Sequence, residues 1–414
     1  MTFRRASALL TVVFAAVAGL SAQSASSVAD RAAALHKAVP VIDGHNDYPW
    51  ALREKSPGRD LNVLDIRQPQ PSLMTDIARL RAGGVGGQFW SVYVPSTMQG
   101  KEAVRATLEQ IDIVHRMVAK YPDTFALART ADDVERAFKA GKIASMIGME
   151  GGHSIDSSLA TLRMMHALGA GYMTLAHSRN VPWADSATDK PVLGGLSPFG
   201  EEVVREMNRL GMLVDLSHVS TDSMADAIRV SHAPVIFSHS SARAVCGHPR
   251  NVPDDMLKQL PANGGIVMVT FVPSFIAPAA GATFLEDYQM HFKLQEQYAG
   301  EPEKLRAALA EYRKTHPEPK ATLSMVADHI DHIRKVAGID HIGLGGDFDG
   351  IDTVIAGLED VSKYPALTAE LLRRGYSDDD VKKILGLNIL RVMRRAEAVA
   401  VSMKGEPPSV AVSN

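Results

Sequence analysis

The sequence predicts an α/β fold: a closed (β/α)8 barrel of the TIM type, with a binuclear metal site at the C-terminal ends of its strands. Three observations lead there. Eight short runs are apolar on consecutive positions, the pattern of strands buried on both faces of a parallel sheet. Segments of helical periodicity separate them, which argues for repeated βαβ units. A histidine or carboxylate stands just past the first, third, fifth, sixth and eighth runs. An open doubly wound sheet gathers its ligands at one switch point, so residues spread over five strands converge only if the sheet closes.

The strand runs cover residues 39–42, 87–94, 143–149, 171–175, 213–216, 235–238, 265–271 and 341–345. Helical spacing covers 102–120, 131–140, 158–168, 200–210, 220–230 and 321–337. Residues 273–320 exceed an ordinary connection and contain a charged, helix-prone piece at 303–314. This insertion leaves the end of strand seven, so it belongs to the face where such barrels keep their sites, as a wall, a lid or a solvated decoration. Closing helices are expected at 363–374, 378–385 and 387–397. Together these elements make one domain over 30–398, followed by a tail at 400–414 whose Pro and Ser content predicts disorder.

The first residues read as an export signal over 1–22. Arg4 and Arg5 form a basic start, residues 9–20 an apolar run, and Ser21 and Ala22 a small-residue cleavage site. The run is too short to cross a bilayer comfortably. An exported protein, periplasmic or secreted, is therefore expected, with no membrane span once the signal is removed. At 46% hydrophobic and 22% charged the chain can bury a large core, and a net charge of -3 gives no reason to expect nucleic acid or anionic membrane as a partner. Cys246 is the one cysteine. An internal disulfide and a zinc–thiolate site are excluded, and Cys246 reads as a small buried hydrophobe.

The chemistry follows from residue type and place. His45 and Asp47 in V-I-D-G-H-N-D are two apart, so in extended backbone both point the same way and reach one metal. Glu150 ends S-M-I-G-M-E and precedes two glycines; its two oxygens can bridge two ions. His218 in L-V-D-L-S-H and His239 in V-I-F-S-H complete a second ion's ligands. Imidazole and carboxylate at strand ends are what catalytic divalent sites are built from. His45, Asp47 and Glu150 would hold one ion, and Glu150, His218 and His239 the other, with a shared hydroxide as nucleophile. Asp347 in G-L-G-G-D-F-D-G is placed to shuttle the proton, with Asp349 its competitor. His177 in M-T-L-A-H could stabilise an oxyanion. Arg250 in H-P-R-N-V-P-D-D could hold a substrate carboxylate bidentately.

Several longer runs resemble the membrane dipeptidase (renal dipeptidase) family of zinc peptidases. They are D-G-H-N-D-Y-P-W, G-G-Q-F-W-S-V-Y, E-G-G-H-S-I-D-S-S-L, L-A-H-S-R-N-V-P-W-A-D, F-S-H-S-S-A-R-A-V-C, R-N-V-P-D-D, G-G-D-F-D-G and G-L-E-D-V-S-K-Y-P. The resemblance spans 36–397. It implies an amidohydrolase-type barrel, two zinc ions per chain, and hydrolysis of dipeptides, including those with a D-residue at the C-terminal position. It places His45 and Asp47 on the first zinc, Glu150 as the bridge, and His218 and His239 on the second. It makes His177 and Arg250 substrate-binding and Asp347 the acid/base. The chain departs from the family in three ways. It has no hydrophobic C-terminal stretch of the kind that precedes a lipid anchor in vertebrate members. Cys246 alone does not supply their subunit-linking cysteines, although a homodimer remains compatible. Val272 stands where an aromatic residue is common.

Two other readings compete. Another metal-dependent amidohydrolase, such as an N-acyl amino acid deacylase or a lactonase, would share the metal ligands but not the runs quoted above or Arg250. A non-catalytic relative would be expected to have lost Asp347 or a ligand, and all are present. The export reading makes its own prediction. Intact mass of the exported protein should correspond to a chain starting just after Ala22; a species that still begins at Met1 contradicts it.

Overall fold

A computed structural model describes residues 28–317 and 320–413. The expected signal segment, 1–22, lies outside the described residues. Nine strands form one parallel sheet: β1 (Val41–Asn46), β2 (Val85–Ser91), β3 (Phe125–Leu127), β4 (Ile143–Met149), β5 (Ala170–Thr174), β6 (Leu213–Asp215), β7 (Ile236–Ser240), β8 (Ile266–Val269) and β9 (Ile342–Leu344). β2 pairs with both β1 and β4, and β9 returns to β1 through Asp43 and Leu344. Eight strands therefore close into a barrel, β1-β2-β4-β5-β6-β7-β8-β9, and they are the eight runs seen in the sequence. β3 was not expected. It pairs only with the start of β4 and leaves Leu127 36% exposed, so three residues carry no readable apolar pattern.

The consecutive apolar positions do what two-sided burial requires. Every residue of β4 is buried, as is every residue of β1, β2 and β7. The connecting helices begin at serine or threonine caps. Thr130 and Asp133 form a reciprocal capping box, and Ser158, Ser197, Ser220 and Thr322 each accept a backbone N–H three residues on.

Two contacts inside the barrel matter for what sits above it. The Asp43 carboxylate is fully buried and accepts from Tyr364 Oη at 2.6 Å, from Gly346 N–H at 2.8 Å and from His45 N–H at 3.1 Å. It ties the top of β1 to the segment that leaves β9. Gly148 on β4 faces the Tyr172 ring of β5 so closely that a Cβ there would overlap it. The missing side chain lets the tyrosine lie across the barrel and reach β1.

The 273–320 insertion folds as helices Pro273–Ile276, Pro278–Gln297 and Pro302–Thr315. It stands over the C-terminal ends of the strands. Ser274, Phe275, His291 and Arg313 from it line the space above the barrel, and Tyr288 Oη donates to Ser178 O at 3.0 Å. It is a wall of the cleft, not a decoration. The last helix, Asn388–Ser402, runs further than its apolar spacing implied. The tail read as disordered meets helices Leu159–Ala167 and Pro198–Leu210. Ser409 Oγ donates to Glu202 Oε2 at 2.9 Å, and Ser409 O accepts from Arg163 at 3.1 Å. Those partners are more than 200 residues away in sequence, and composition cannot reveal them. Among the described residues no helix is long and apolar enough to cross a membrane.

Candidate active site

His45 near the top of β1 is fully buried. Its Nδ1 lies 2.9 Å from Tyr172 Oη, and that hydroxyl donates to Gly44 O at 3.1 Å. The hydroxyl proton being used, His45 Nδ1–H must donate to the tyrosine oxygen. The Nε2 lone pair then faces the barrel mouth, where it is buried without a hydrogen-bond partner. His239 on β7 repeats the device. Ser238 Oγ donates to Asp215 Oδ2 at 2.7 Å and accepts from His239 Nδ1 at 2.8 Å, leaving the His239 Nε2 lone pair toward the other imidazoles. A hydroxyl sets the tautomer in both cases.

Asp47 holds the cap position of helix Tyr48–Lys55 but makes no capping bond. Its Oδ2 lies 3.2 Å from His45 Nε2, as the two-residue spacing predicts, and its Oδ1 is buried without a partner. His218 follows β6 in left-handed backbone, φ +70°. Its Nε2 comes within 3.0 Å of His239 Nε2.

Glu150, just past β4, has a different environment at each oxygen. Oε2 lies 3.4 Å from His45 Nε2 and accepts from Ser91 Oγ at 3.2 Å. Oε1 lies 2.9 Å from His218 Nε2, 3.3 Å from His177 Nε2 and 3.5 Å from His239 Nε2. Burial would raise its pKa, but the imidazoles of His45, His177 and His218 outweigh burial and hold it well below the carboxylate range.

The donor atoms fall into three groups, each within 4.8 Å: His45, Glu150 and His239; Glu150, His177 and His218; His45, Asp47 and Asp347. Both sets expected from the sequence are also close: His45 Nε2 lies 3.2 Å from Asp47 and 3.4 Å from Glu150, and Glu150 Oε1, His218 Nε2 and His239 Nε2 lie within 3.5 Å of one another. The His239 ring lies 3.9 Å from that of His45, so it stands between the two expected ligand sets, and His177 joins the Glu150–His218 side. The residues fit a pair of divalent cations. Two partnerless buried ligand atoms, two preset tautomers and a carboxylate split between the sets are what such ions use.

Asp347 follows β9 with φ +62°, and its N–H donates to His45 O at 3.1 Å. The carboxylate is 4.0 Å from His45 Nε2. Burial, with Asp47 and Glu150 nearby, pushes its pKa well above the usual carboxylate range despite His45 and Arg250. Its competitor Asp349 also reaches the cleft, but Asp349 Oδ1 accepts the Met74 N–H at 2.7 Å. That engagement serves the loop before helix Ile77–Ala82 and leaves Asp347 as the carboxylate facing the donors. Gly350 packs where a Cβ would strike both Asp47 and Asp347, so the chain can pass beneath them only as glycine.

Arg250 is 2% exposed. Its two side-chain hydrogen bonds, to Ser240 Oγ and His239 O, are both long at 3.4 Å, its Nε has no hydrogen-bond partner, and the guanidinium lies 5.1 Å from the Phe275 ring centroid. No carboxylate lies within ion-pair distance of it among the described residues. Burial lowers its pKa to about 10. A buried, unpaired cation of this kind is costly unless an anion joins it. It opens onto a cleft of about 980 Å3 whose floor holds Asp47, Glu150, His177, His218 and Asp347. Trp50 and Tyr93, with rings 5.0 Å apart, also line it.

The sequence reading missed Tyr172, Ser238 and Asp215. Asp215 carried a signal, since a carboxylate inside a run buried on both faces needs a reason. Tyr172 carried none, because an aromatic residue is ordinary in a strand.

The sequence pattern of the membrane dipeptidase family (peptidase family M19) matches residues 29–407. The chain belongs to this family. It is 42% identical over 377 residues to dipeptidase verJ of Clonostachys rogersoniana, covering 88% of this chain and 86% of that one. It is 42% identical over 386 residues to dipeptidase 3 of Rattus norvegicus, covering 92% and 70% respectively. Among solved structures, the probable dipeptidase PvdM of Pseudomonas aeruginosa superposes with a TM-score of 0.77 at 26% identity, covering 90% of this chain and 99% of that one. A Rhodobacter sphaeroides metallopeptidase liganded with a phosphinate mimic of the dipeptide L-Ala-D-Ala superposes at 0.71 with 25% identity, covering 86% and 99%. The protein is thus an M19 dipeptidase, a metallopeptidase acting on small substrates.

In this dipeptidase the hydroxyl that orients His45 should matter to the metal more than to the fold. Tyr172→Phe keeps the ring against Gly148 but removes the acceptor for His45 Nδ1–H. Zinc affinity, measured by competition with a chelator, should fall roughly 10–100-fold with the circular dichroism spectrum unchanged. Unaltered affinity contradicts the tautomer assignment.

Proposed function

We propose that this dipeptidase is an exported enzyme that uses two zinc ions to hydrolyse free dipeptides, including those whose C-terminal residue is D. His45, Asp47 and Glu150 would hold one ion and Glu150, His218 and His239 the other. Bound there, zinc would polarise the scissile carbonyl and bring the pKa of water down to about 7. Asp347 takes the proton of the attacking water and returns it to the leaving amine nitrogen. Its raised pKa suits a group that must hold a proton between the two steps. His177, beside Glu150 and His218, donates to the carbonyl oxygen as charge develops there. Arg250 binds the free carboxylate of the second residue and so sets the scissile bond over the donor cluster.

The observation that carries this reading is Arg250 itself. A guanidinium buried beside the metal-binding side chains, with no anion of its own, fits a substrate that brings a carboxylate a fixed short distance from the bond to be cut. Support for zinc comes from the all-nitrogen-and-oxygen donor set and the family resemblance. Support for the D-residue comes from the dipeptide mimic held by the Rhodobacter relative. Export rests on the basic, apolar and small-residue order of the first 22 residues.

A dipeptide amide removes the carboxylate that Arg250 would bind. Arg250→Ala should cost dipeptide turnover on the order of 1.5–3 kcal/mol in kcat/KM, as for hydrogen bonds to a charged group. It should hardly change the already poor turnover of the amide. Equal losses on both substrates would show that Arg250 supports the site's structure and does not read the carboxylate.

A further inference from the structure

Beside the metal-facing cleft, a second cavity of about 270 Å3 opens between the barrel mouth and the insertion. It is continuous with the cleft, sharing His218, Arg250, Ser274, Phe275, His291 and Arg313 with it. Pockets for whole small molecules begin near ~300 Å3, so this one suits a single side chain. Phe275, Phe284 and Tyr288 form its walls. Phe284 and Tyr288 are one turn apart on helix Pro278–Gln297 and therefore face the same way, with ring centroids 5.1 Å apart. His248 packs 3.8 Å from Phe284 and 4.3 Å from Phe275.

That wall is uncharged. The Arg250 N–H donates to His248 Nδ1 at 3.1 Å, so this nitrogen carries no proton, and burial holds the ring well below the usual imidazole range. The Tyr288 hydroxyl is spent on Ser178 O. At the far end, Asp287 accepts from Tyr312 Oη at 2.8 Å and lies 3.7 Å from Arg313, so it already has its partners.

The position of Arg250 decides which part of a substrate enters. A carboxylate held there fixes the attached Cα, and the side chain on that carbon leaves beside the guanidinium. The first residue's side chain departs across the scissile bond, toward Trp50 and Tyr93. We propose that the 270 Å3 cavity receives the side chain of the C-terminal residue, and that Phe284 and Tyr288 make the enzyme select a large apolar or aromatic residue there. The proposal rests on reading Arg250 as the carboxylate-binding group.

The test is kcat/KM for Gly-Phe, Phe-Gly and Gly-Gly in the zinc-loaded wild type and in Phe284→Ala and Phe284→Trp. The wild type should favour Gly-Phe over Gly-Gly by about tenfold or more, the scale on which apolar pockets discriminate. Phe284→Ala opens the wall and Phe284→Trp fills the cavity, so either should cut the Gly-Phe to Gly-Gly ratio several-fold. The Phe-Gly to Gly-Gly ratio should hold. An unchanged Gly-Phe ratio in both variants overturns the proposal, as does an equal fall in the two ratios, which would mark a structural role. A wild type that cleaves none of the three dipeptides fails before any variant is compared, and that result overturns the dipeptidase reading of the site itself.

Discussion

The Glu150 carboxylate, buried among the imidazoles of His45, His177, His218 and His239, is the interaction on which the rest of the site depends. A carboxylate that deep is tolerable only when a donor or a positive charge joins it; Ser91 Oγ donates to Oε2 at 3.2 Å, and a cation held among the imidazole Nε2 atoms would supply the charge. Those imidazoles come from β1, β5, β6 and β7 and their following turns, so they can surround Glu150 only in a closed barrel. The constraint also reaches outward. Two of the imidazoles that offer Nε2 to the centre pass the Nδ1 proton to a hydroxyl: Tyr172 accepts from His45 and Ser238 from His239. Tyr172 can do so because Gly148 leaves room for its ring, and Asp215 holds the Ser238 hydroxyl in turn.

The same density of acidic groups acts on Asp347, for which we propose the proton-carrying role. Burial beside Asp47 and Glu150 favours its protonated form, which a cation at the centre would oppose. A carboxylate balanced between those influences can both take and release a proton. Arg250 is the complementary case: a buried cation that lines the same cleft and has no carboxylate within ion-pair distance among the described residues. The insertion then closes the outer side, so the cleft has a metal-facing floor, a cationic end and aromatic walls.

Much of this was legible in the sequence because it is local. Eight apolar runs gave the barrel strands, and residues just past six of them gave His45, Asp47, Glu150, His177, His218, His239 and Asp347, which the fold brings together. What stayed hidden depends on contacts between distant segments. β3 is too short and too exposed to show a period. The anchoring of Ser409 on Glu202 and Arg163 is invisible to composition. Which histidines sit closest together is decided by ring packing, so the His45–His239 approach could not be read from spacing. Tyr172 looks like any strand aromatic until Gly148 and His45 are seen around it. The aromatic face of the insertion was likewise hidden, since Phe284 and Tyr288 gain meaning only beside His248 and Arg250.

The central proposal is that Glu150 would serve two ions, one on each side of its carboxylate. Anomalous scattering at the zinc edge from crystals of the active enzyme tests it directly. The account predicts two zinc peaks per chain, one against Oε2 on the His45 and Asp47 side and one against Oε1 on the His218 side. A single peak in crystals of fully active protein, or both Glu150 oxygens on the same ion, would contradict it.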